Sequence, residues 1–373
     1  MEKLANKIIV IVFIVFIFTI NIFNILMPDK EFSESENRVL SQFPKFSMEK
    51  LTSGRFSNKF ETYITDQFIF KDFWVGLKSD IERFSLKNEN NGIYFGKDGY
   101  LLEDFTNSDE VLANNIKSIN YFNKKLPDLT TYFLLAPNSV KIYEDKLPMF
   151  SEPYDQSKII DRVKKNLNGE FIDVYDILKR KKDEYIYFKT DHHWTMRGAY
   201  YAYQMFCNNI GLKSFDFNKF DKEIVSNSFY GTFYSKANNR HIPADKIEIF
   251  KPKFNTSYKV HYLDEDKYTN TLYEFNHLDK KDKYSLFLDG NHSLITIKTD
   301  VKNNKKLVIF KDSYSHSFIP FLANHYKEIH IIDLRYYKLN IYDYIKENDI
   351  DEALFLYNVS TFSSDENLSW LRI

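Results

Sequence analysis

Apolar and polar positions divide the chain into stretches with different periods. Ile8 to Met27 is a predominantly apolar run without a charge, about the 20 residues a helix needs to cross a hydrocarbon layer. Lys3 and Lys7 precede it, and Pro28-Asp29 with Glu31, Glu34 and Glu36 follow. By the positive-inside rule this places the N-terminus in the cytoplasm and the rest of the chain outside, as a single-pass protein of the cell membrane. Met27-Pro28-Asp29-Lys30 offers no small-residue cleavage pattern, which favours an uncleaved anchor over a signal peptide. Asn21 and Asn24 are polar positions near the outer end; two amides are tolerated there, and they would also suit contact with another membrane protein.

From Glu31 to about Asn91 the spacing is helical, with Phe56, Phe60, Tyr63, Ile64 and Phe68 on one stretch and a second amphipathic run from Phe73 to Phe84. Asn90-Asn91-Gly92 ends it, and Ile93 to Leu102 predicts a hairpin turning at Asp98-Gly99. A helix is expected over Val111 to Lys125 and another over Met196 to Phe206. Thr130–Ala136, Leu307–Phe310, Glu328–Asp333 and Ala353–Tyr357 are continuous apolar runs of the kind buried on both faces of a parallel sheet. Strands alternating with helices predict a doubly wound α/β fold, which carries its sites at the C-terminal strand ends. Between Ser226 and Thr299 short alternating segments, among them Tyr258–Tyr262 and Ser293–Ile297, read as a β-rich insertion. The domains expected are therefore residues 1–30, a cytoplasmic N-terminus and transmembrane anchor, and residues 31–373, one extracytoplasmic domain with a helical lead-in over 31–92.

Composition narrows the function. Lys and Arg total 51 against 52 Asp and Glu, with no long basic run, so the electrostatic footprint of a nucleic-acid partner is missing. Cys207 is the single cysteine, which excludes an intrachain disulfide and a Cys-based metal site. Aromatic residues make up 17% of the chain; core packing accounts for them first, stacking on sugar rings second.

Two segments carry chemistry. Tyr187 to Thr195 (YFKTDHHWT) places an acid and imidazoles just before a helix, and an acid two residues from a histidine can hold the ring in one tautomer. The same residues also suit a helix cap with two packing histidines, or a metal site on Asp191, His192 and His193. Leu307 to His316 (LVIFKDSYSH) runs from a strand through a polar turn into a helix. A serine there sits beside free helix amides that can stabilise an oxyanion, and it equally fits an ordinary N-cap.

Together KTDHHWTMRGAYYAY and KDSYSHSFIPFLANHYKEIHIIDLRYY resemble the signature blocks of the DHHW protein family. This family is similar to the extracytoplasmic O-acetyltransferases of alginate biosynthesis, with a Thr-Asp-x-His-Trp motif and an Asp-Ser-Phe/Tyr motif. SENRVLSQFP, YFGKDGYLLE and APNSVKIYEDKLP resemble further family stretches in the same order. The resemblance implies an SGNH hydrolase-like fold with permuted motif order, in which Ser313 is the nucleophile, His193 the general base and Asp191 its orienting acid. His192 fills the variable position. No glycine lies between Ser313 and Asn358, and Lys311 stands where many SGNH enzymes have glycine. The oxyanion hole is therefore expected from the Ser313 and Tyr314 amides, with Asn358 and then Gly231 as further candidates. Arg335, after a strand, could bind an acyl carbonyl or a sugar acid, or form a surface ion pair. The activity implied is acetyl transfer through a serine ester to an exported or cell-surface polysaccharide, the donor supplied by a membrane-bound O-acyltransferase. A deacetylating esterase with the same triad, or an inert polysaccharide-binding scaffold, are the alternatives. Neither a cofactor nor a metal is expected.

Overall fold

The computed structural model describes residues 2–36 and 38–373. It divides into two compact units, Met1–Lys87 with Asn238–Arg240, and Asn88–Ala237 with His241–Ile373.

The first unit begins with α1 (Glu2–Leu26), whose window from Lys3 to Leu26 is long and apolar enough to cross a membrane. It stops just before Pro28, a residue that disfavours helical backbone at the position ahead of it. Two amphipathic helices follow, α2 (Arg55–Asp66) and α3 (Lys71–Phe84). Asp66 ties this unit together: its Oδ2 accepts from Arg38 Nη1 at 2.9 Å and from the Ser41 amide at 2.9 Å.

In the second unit the hairpin expected around Asp98-Gly99 forms between Ile93–Phe95 and Leu101–Glu103, with both turn residues in the left-handed region. The helix α4 (Asp109–Lys125) is capped by Ser108, and α5 (Met196–Asn209) by Thr195, each through a side-chain oxygen. The sheet strands are β1 (Thr130–Ala136), β2 (Glu170–Ile172), β3 (Tyr258–Tyr262), β4 (Lys267–Thr269), β5 (Leu294–Thr299), β6 (Lys306–Lys311), β7 (Glu328–Ile332) and β8 (Glu352–Asn358), and α6 (Ser315–Leu322) follows β6. They form one eight-stranded sheet in the order β4-β3-β5-β7-β6-β8-β1-β2. From β7 through β2 all pairings are parallel; β5, β3 and β4 extend the β7 edge in antiparallel fashion. Thus the sheet is mixed rather than wholly parallel, and three strands of the segment from Ser226 to Thr299 join it. The other β part of that segment pairs as a separate ribbon, Phe220–Phe229 with Asp245–Pro252.

Alternate side chains of each central strand enter opposite cores, as a strand period of two requires. Leu307, Ile309, Leu354 and Leu356 pack on the α5 and α6 side, while Val308, Phe310, Ala353 and Phe355 pack on the α4 side. Phe122 of α4 meets Phe310 and Phe355 edge-on at centroid distances of 5.4 and 5.3 Å. Phe122→Ala is expected to cost about 3–5 kcal/mol, read as a lower urea midpoint at unchanged slope.

Candidate active site

The parallel strands place the two chemical segments together at their C-terminal ends. After β6 the chain turns through Asp312, whose Oδ1 accepts the Tyr314 amide at 2.9 Å and whose Oδ2 accepts the Asn358 amide and Nδ2 at 2.6 and 2.7 Å. These bonds hold the turn that presents the half-buried Ser313 at the start of α6. Burial pushes the Asp312 carboxyl up, and the amides it accepts oppose that shift.

The Asp191 segment is a tight loop closed by a bridge between Tyr187 and Trp194. Trp194 joins it to the serine turn by donating from Nε1 to the Tyr314 carbonyl at 2.9 Å, and the Tyr314 hydroxyl donates to the His192 carbonyl. Asp191 Oδ1 accepts the His193 amide at 3.0 Å and His193 Nδ1 at 2.5 Å; its Oδ2 accepts the Thr232 amide at 2.8 Å and Thr232 Oγ1 at 3.2 Å. On the other side of the ring, His193 Nε2 lies 2.7 Å from Ser313 Oγ. Ser313, His193 and Asp191 thus form a continuous hydrogen-bonded line, from segments 120 residues apart.

Burial, reinforced by the neighbouring His192, lowers His193 to about 4. Burial would raise Asp191, but the two imidazoles hold it well below the usual carboxylate range. At neutral pH the arrangement is therefore a carboxylate, a neutral imidazole donating from Nδ1, and an Nε2 lone pair facing the serine hydroxyl. This is the state needed to accept a proton from Ser313 as it attacks an electrophile.

The expected oxyanion donors need correction. The Tyr314 amide is spent on Asp312, Asn358 Nδ2 on Asp312 and Thr361 Oγ1, and the Gly231 amide on Thr190 Oγ1. Of these candidates, only the Ser313 amide has no partner among the described residues. Tyr314 and Asn358 frame the serine turn. Gly231 packs directly on the acid, where a Cβ would lie 2.2 Å from that of Asp191. Arg335 grips Asp333 through Nε at 2.8 Å and Nη2 at 2.6 Å and reaches Asn291 at 3.1 Å, so it forms an ion pair as in the second alternative, but with a buried carboxylate and not at the surface. Lys311 is buried beside it, with Nζ 2.9 Å from Asp333, 3.0 Å from Asn291 and 2.8 Å from His316 Nε2.

Asp191, His192 and His193 could in principle share an ion. Their donor atoms are already committed: both Asp191 oxygens accept two hydrogen bonds, His192 Nδ1 faces Thr232 Oγ1 at 2.7 Å, and His193 Nε2 faces Ser313. The geometry suits an imidazole relay.

Sequence reasoning missed Tyr284. Its ring stacks on His193 at 3.7 Å with 10° between planes, and its hydroxyl reaches the Ser313 carbonyl at 3.2 Å and Ser317 Oγ at 3.1 Å. Thr232 was missed too. Both come from the stretch whose period announced only β structure. Asp312 stood next to the serine in the motif and was visible as a polar turn residue, but not as the clamp on Asn358.

A family model described as DHHW protein matches residues 93–332. Among solved structures the chain is similar to a DHHW family protein from Eubacterium siraeum, at 27% identity over 76% of this chain and 96% of that one, with a TM-score of 0.67. It is also similar to Bacillus cereus PatB1, at 25% identity over 72% of this chain and 97% of that one, TM-score 0.62. PatB1 with a sulfonyl adduct shares the fold at 23% identity, over 74% of this chain and 98% of that one, TM-score 0.61. No curated protein matches the chain.

Proposed function

The chain belongs to the DHHW protein family, and from that premise we propose that it is a membrane-anchored O-acetyltransferase acting on an exported or cell-surface polysaccharide through a Ser313 ester. The observation that carries this reading is the line from Ser313 Oγ to His193 Nε2 at 2.7 Å and from His193 Nδ1 to Asp191 at 2.5 Å. Ser313 attacks the carbonyl of an acetyl donor, its proton passing to His193. The oxyanion is met by the Ser313 amide, and the leaving group takes the proton back as the acetyl-serine forms. An acceptor hydroxyl then attacks, again losing its proton to His193, and Ser313 is regenerated. Asp191 stays ionised throughout and stabilises the imidazolium.

In this reading α1 spans the membrane with the globular part outside, supported by its length and by Lys3 and Lys7 in its first two turns, ahead of the uncharged run. A membrane-bound O-acyltransferase delivers the acetyl group, because acetyl-CoA is cytoplasmic. The serine motif lying after the acid and histidine in the chain supports an SGNH-like sheet with permuted order. Transfer rather than hydrolysis rests on the likeness of the Thr-Asp-His-His-Trp and Asp-Ser-Tyr motifs to the alginate O-acetyltransferases.

The test incubates the purified full chain in detergent with an activated acetyl ester and an oligosaccharide acceptor. Acetylated sugar, with an acetyl group on the Ser313 peptide by mass spectrometry, is expected. Acetate released without acetylated sugar would assign a hydrolase, and no acetyl-Ser313 under any condition would remove the enzyme reading.

The site also sets a pH dependence. His193 must be neutral to act, so kcat/KM should be level through neutral pH and fall only as pH drops towards about 4. His192→Asn removes the neighbouring positive charge and should move that acid limb upward. A wild-type limb at or above the ordinary histidine value would show that another group titrates. Gly231→Ala forces Asp191 aside; it should lower kcat by about 100-fold or more with little change in KM.

A further inference from the structure

The helix α3 is amphipathic with its apolar face turned outward. Phe73, Trp74, Leu77, Ile81 and Phe84 lie on one face of it and form one stripe, and Phe70 precedes them as the N-cap. Phe70, Phe73, Ile81 and Phe84 are 65%, 50%, 58% and 90% exposed, while the buried positions of the same helix are Gly76 and Ser79. The inward face is thus the small, polar one, with Gly76 against the Arg240 side chain. A stripe of this kind covers roughly 20 Å of helix and is the sort of contiguous apolar patch that marks an interaction surface.

Its position names the occupant. Asn24, in the last turn of α1, accepts the Ile69 amide on its Oδ1 at 2.7 Å, one residue before Phe70. Just beyond the span, the Lys30 amide donates to Gln67 Oε1 at 2.9 Å and Tyr63 donates to Asp29 Oδ1 at 3.0 Å. The corner from α2 to α3 is therefore bonded to the point where α1 leaves the hydrocarbon. Aromatic side chains concentrate at that depth in membranes, and helices with one apolar face lie there in the interface plane. Charge does not supply an alternative attraction: Lys71, Lys78 and Arg83 are matched by Asp72, Asp80 and Glu82.

We propose that α3 is a membrane foot, its Phe73–Phe84 stripe seated in the interfacial layer of the bilayer that α1 crosses. This rests on the reading of α1 as a span and is independent of the acyl chemistry. The foot holds the segment that follows α1 at the membrane surface. It precedes the family match, which begins at residue 93.

The test reconstitutes the full chain in phosphatidylcholine vesicles, with or without phosphatidylglycerol, whose acyl chains are brominated near the carbonyl end or near the methyl end. Trp74 is one of three tryptophans, so the Trp74→Phe protein provides the background. Expected are a Trp74 emission component quenched more strongly by shallow than by deep bromine, and similar quenching of a Phe84→Trp probe in the Trp74→Phe background. Neither should depend on anionic lipid or salt. Failure of the chain to float with vesicles overturns the span and the foot together. Flotation with neither probe quenched, or with Trp74 alone quenched, overturns the foot and leaves the span standing. Shielding of both probes by self-association in detergent, without quenching in vesicles, assigns the face to a second copy instead. Because these side chains are exposed, the variants should keep the wild-type far-UV spectrum.

Discussion

Ser313→Ala is expected to abolish acyl-enzyme formation and to lower turnover of an acetyl ester by on the order of 10⁴-fold or more. The proposed chemistry has no second nucleophile to take over. His193 Nε2 would face a methyl group at the position where it now meets Ser313 Oγ at 2.7 Å, and its proton-accepting lone pair would have nothing to activate. The frame does not depend on that hydroxyl: the turn is held by Asp312 on Tyr314 and Asn358, and by Trp194 on the Tyr314 carbonyl. Loss of one half-buried hydrogen bond should change stability by only about 1 kcal/mol. Activity that survives in a folded Ser313→Ala protein would dispose of the serine-ester mechanism.

Asp191→Asn should be nearly as damaging, for a subtler reason. Asp191 Oδ1 now accepts from His193 Nδ1, which leaves Nε2 as the proton acceptor for Ser313. Thr232 donates its amide and hydroxyl to Oδ2, so in the variant the carbonyl oxygen of the new side chain is drawn to Thr232 and its amide nitrogen is left facing His193. The imidazole then takes the opposite tautomer, with a hydrogen on Nε2, and can no longer accept from the serine. A fall in kcat of about 10³–10⁴-fold with little change in KM is expected. The His193 amide, which also donates to Oδ1 at 3.0 Å, loses its acceptor, and the orphaned donor should cost about 1–3 kcal/mol. Activity within a few-fold of wild type would mean that Asp191 does not orient the ring.

These two variants rest on motifs that were legible before any fold was known, but unequally so. Asp191 and His193 share one short segment, so their spacing offered the pairing beside a helix cap and a metal site. Ser313 alone reads as a helix cap, and its meeting with His193 follows from strand order. The eight-stranded sheet shows the same division. Thr130–Ala136 and the cores of β6, β7 and β8 stand out as apolar runs because both faces of each strand are buried. For β3 and β5, alternation announces a strand with unequal faces and is silent about its partner. Their antiparallel attachment to β7 comes from pairing across the chain, which no local period encodes.

The oxyanion donors illustrate the same limit from the side of hydrogen bonding. Amides at Ser313 and Tyr314 look equivalent along the chain, yet Asp312 takes the second and leaves the first. Tyr284 adds a ring face against His193 from a segment with no signature.

By itself, then, the order of residues determined the apolar N-terminal helix, the alternation of strands and helices, an acid and two histidines in one short segment and a serine in a strand-to-helix turn, because each depends on neighbours a few positions apart. The tertiary structure alone decided that Ser313 meets His193, that Tyr284 covers the ring, that Tyr314 and Asn358 serve the frame, and that α3 turns its aromatic stripe outward. Those depend on which distant groups compete for the same hydrogen bond or the same buried face, and that competition exists only once the chain has closed on itself.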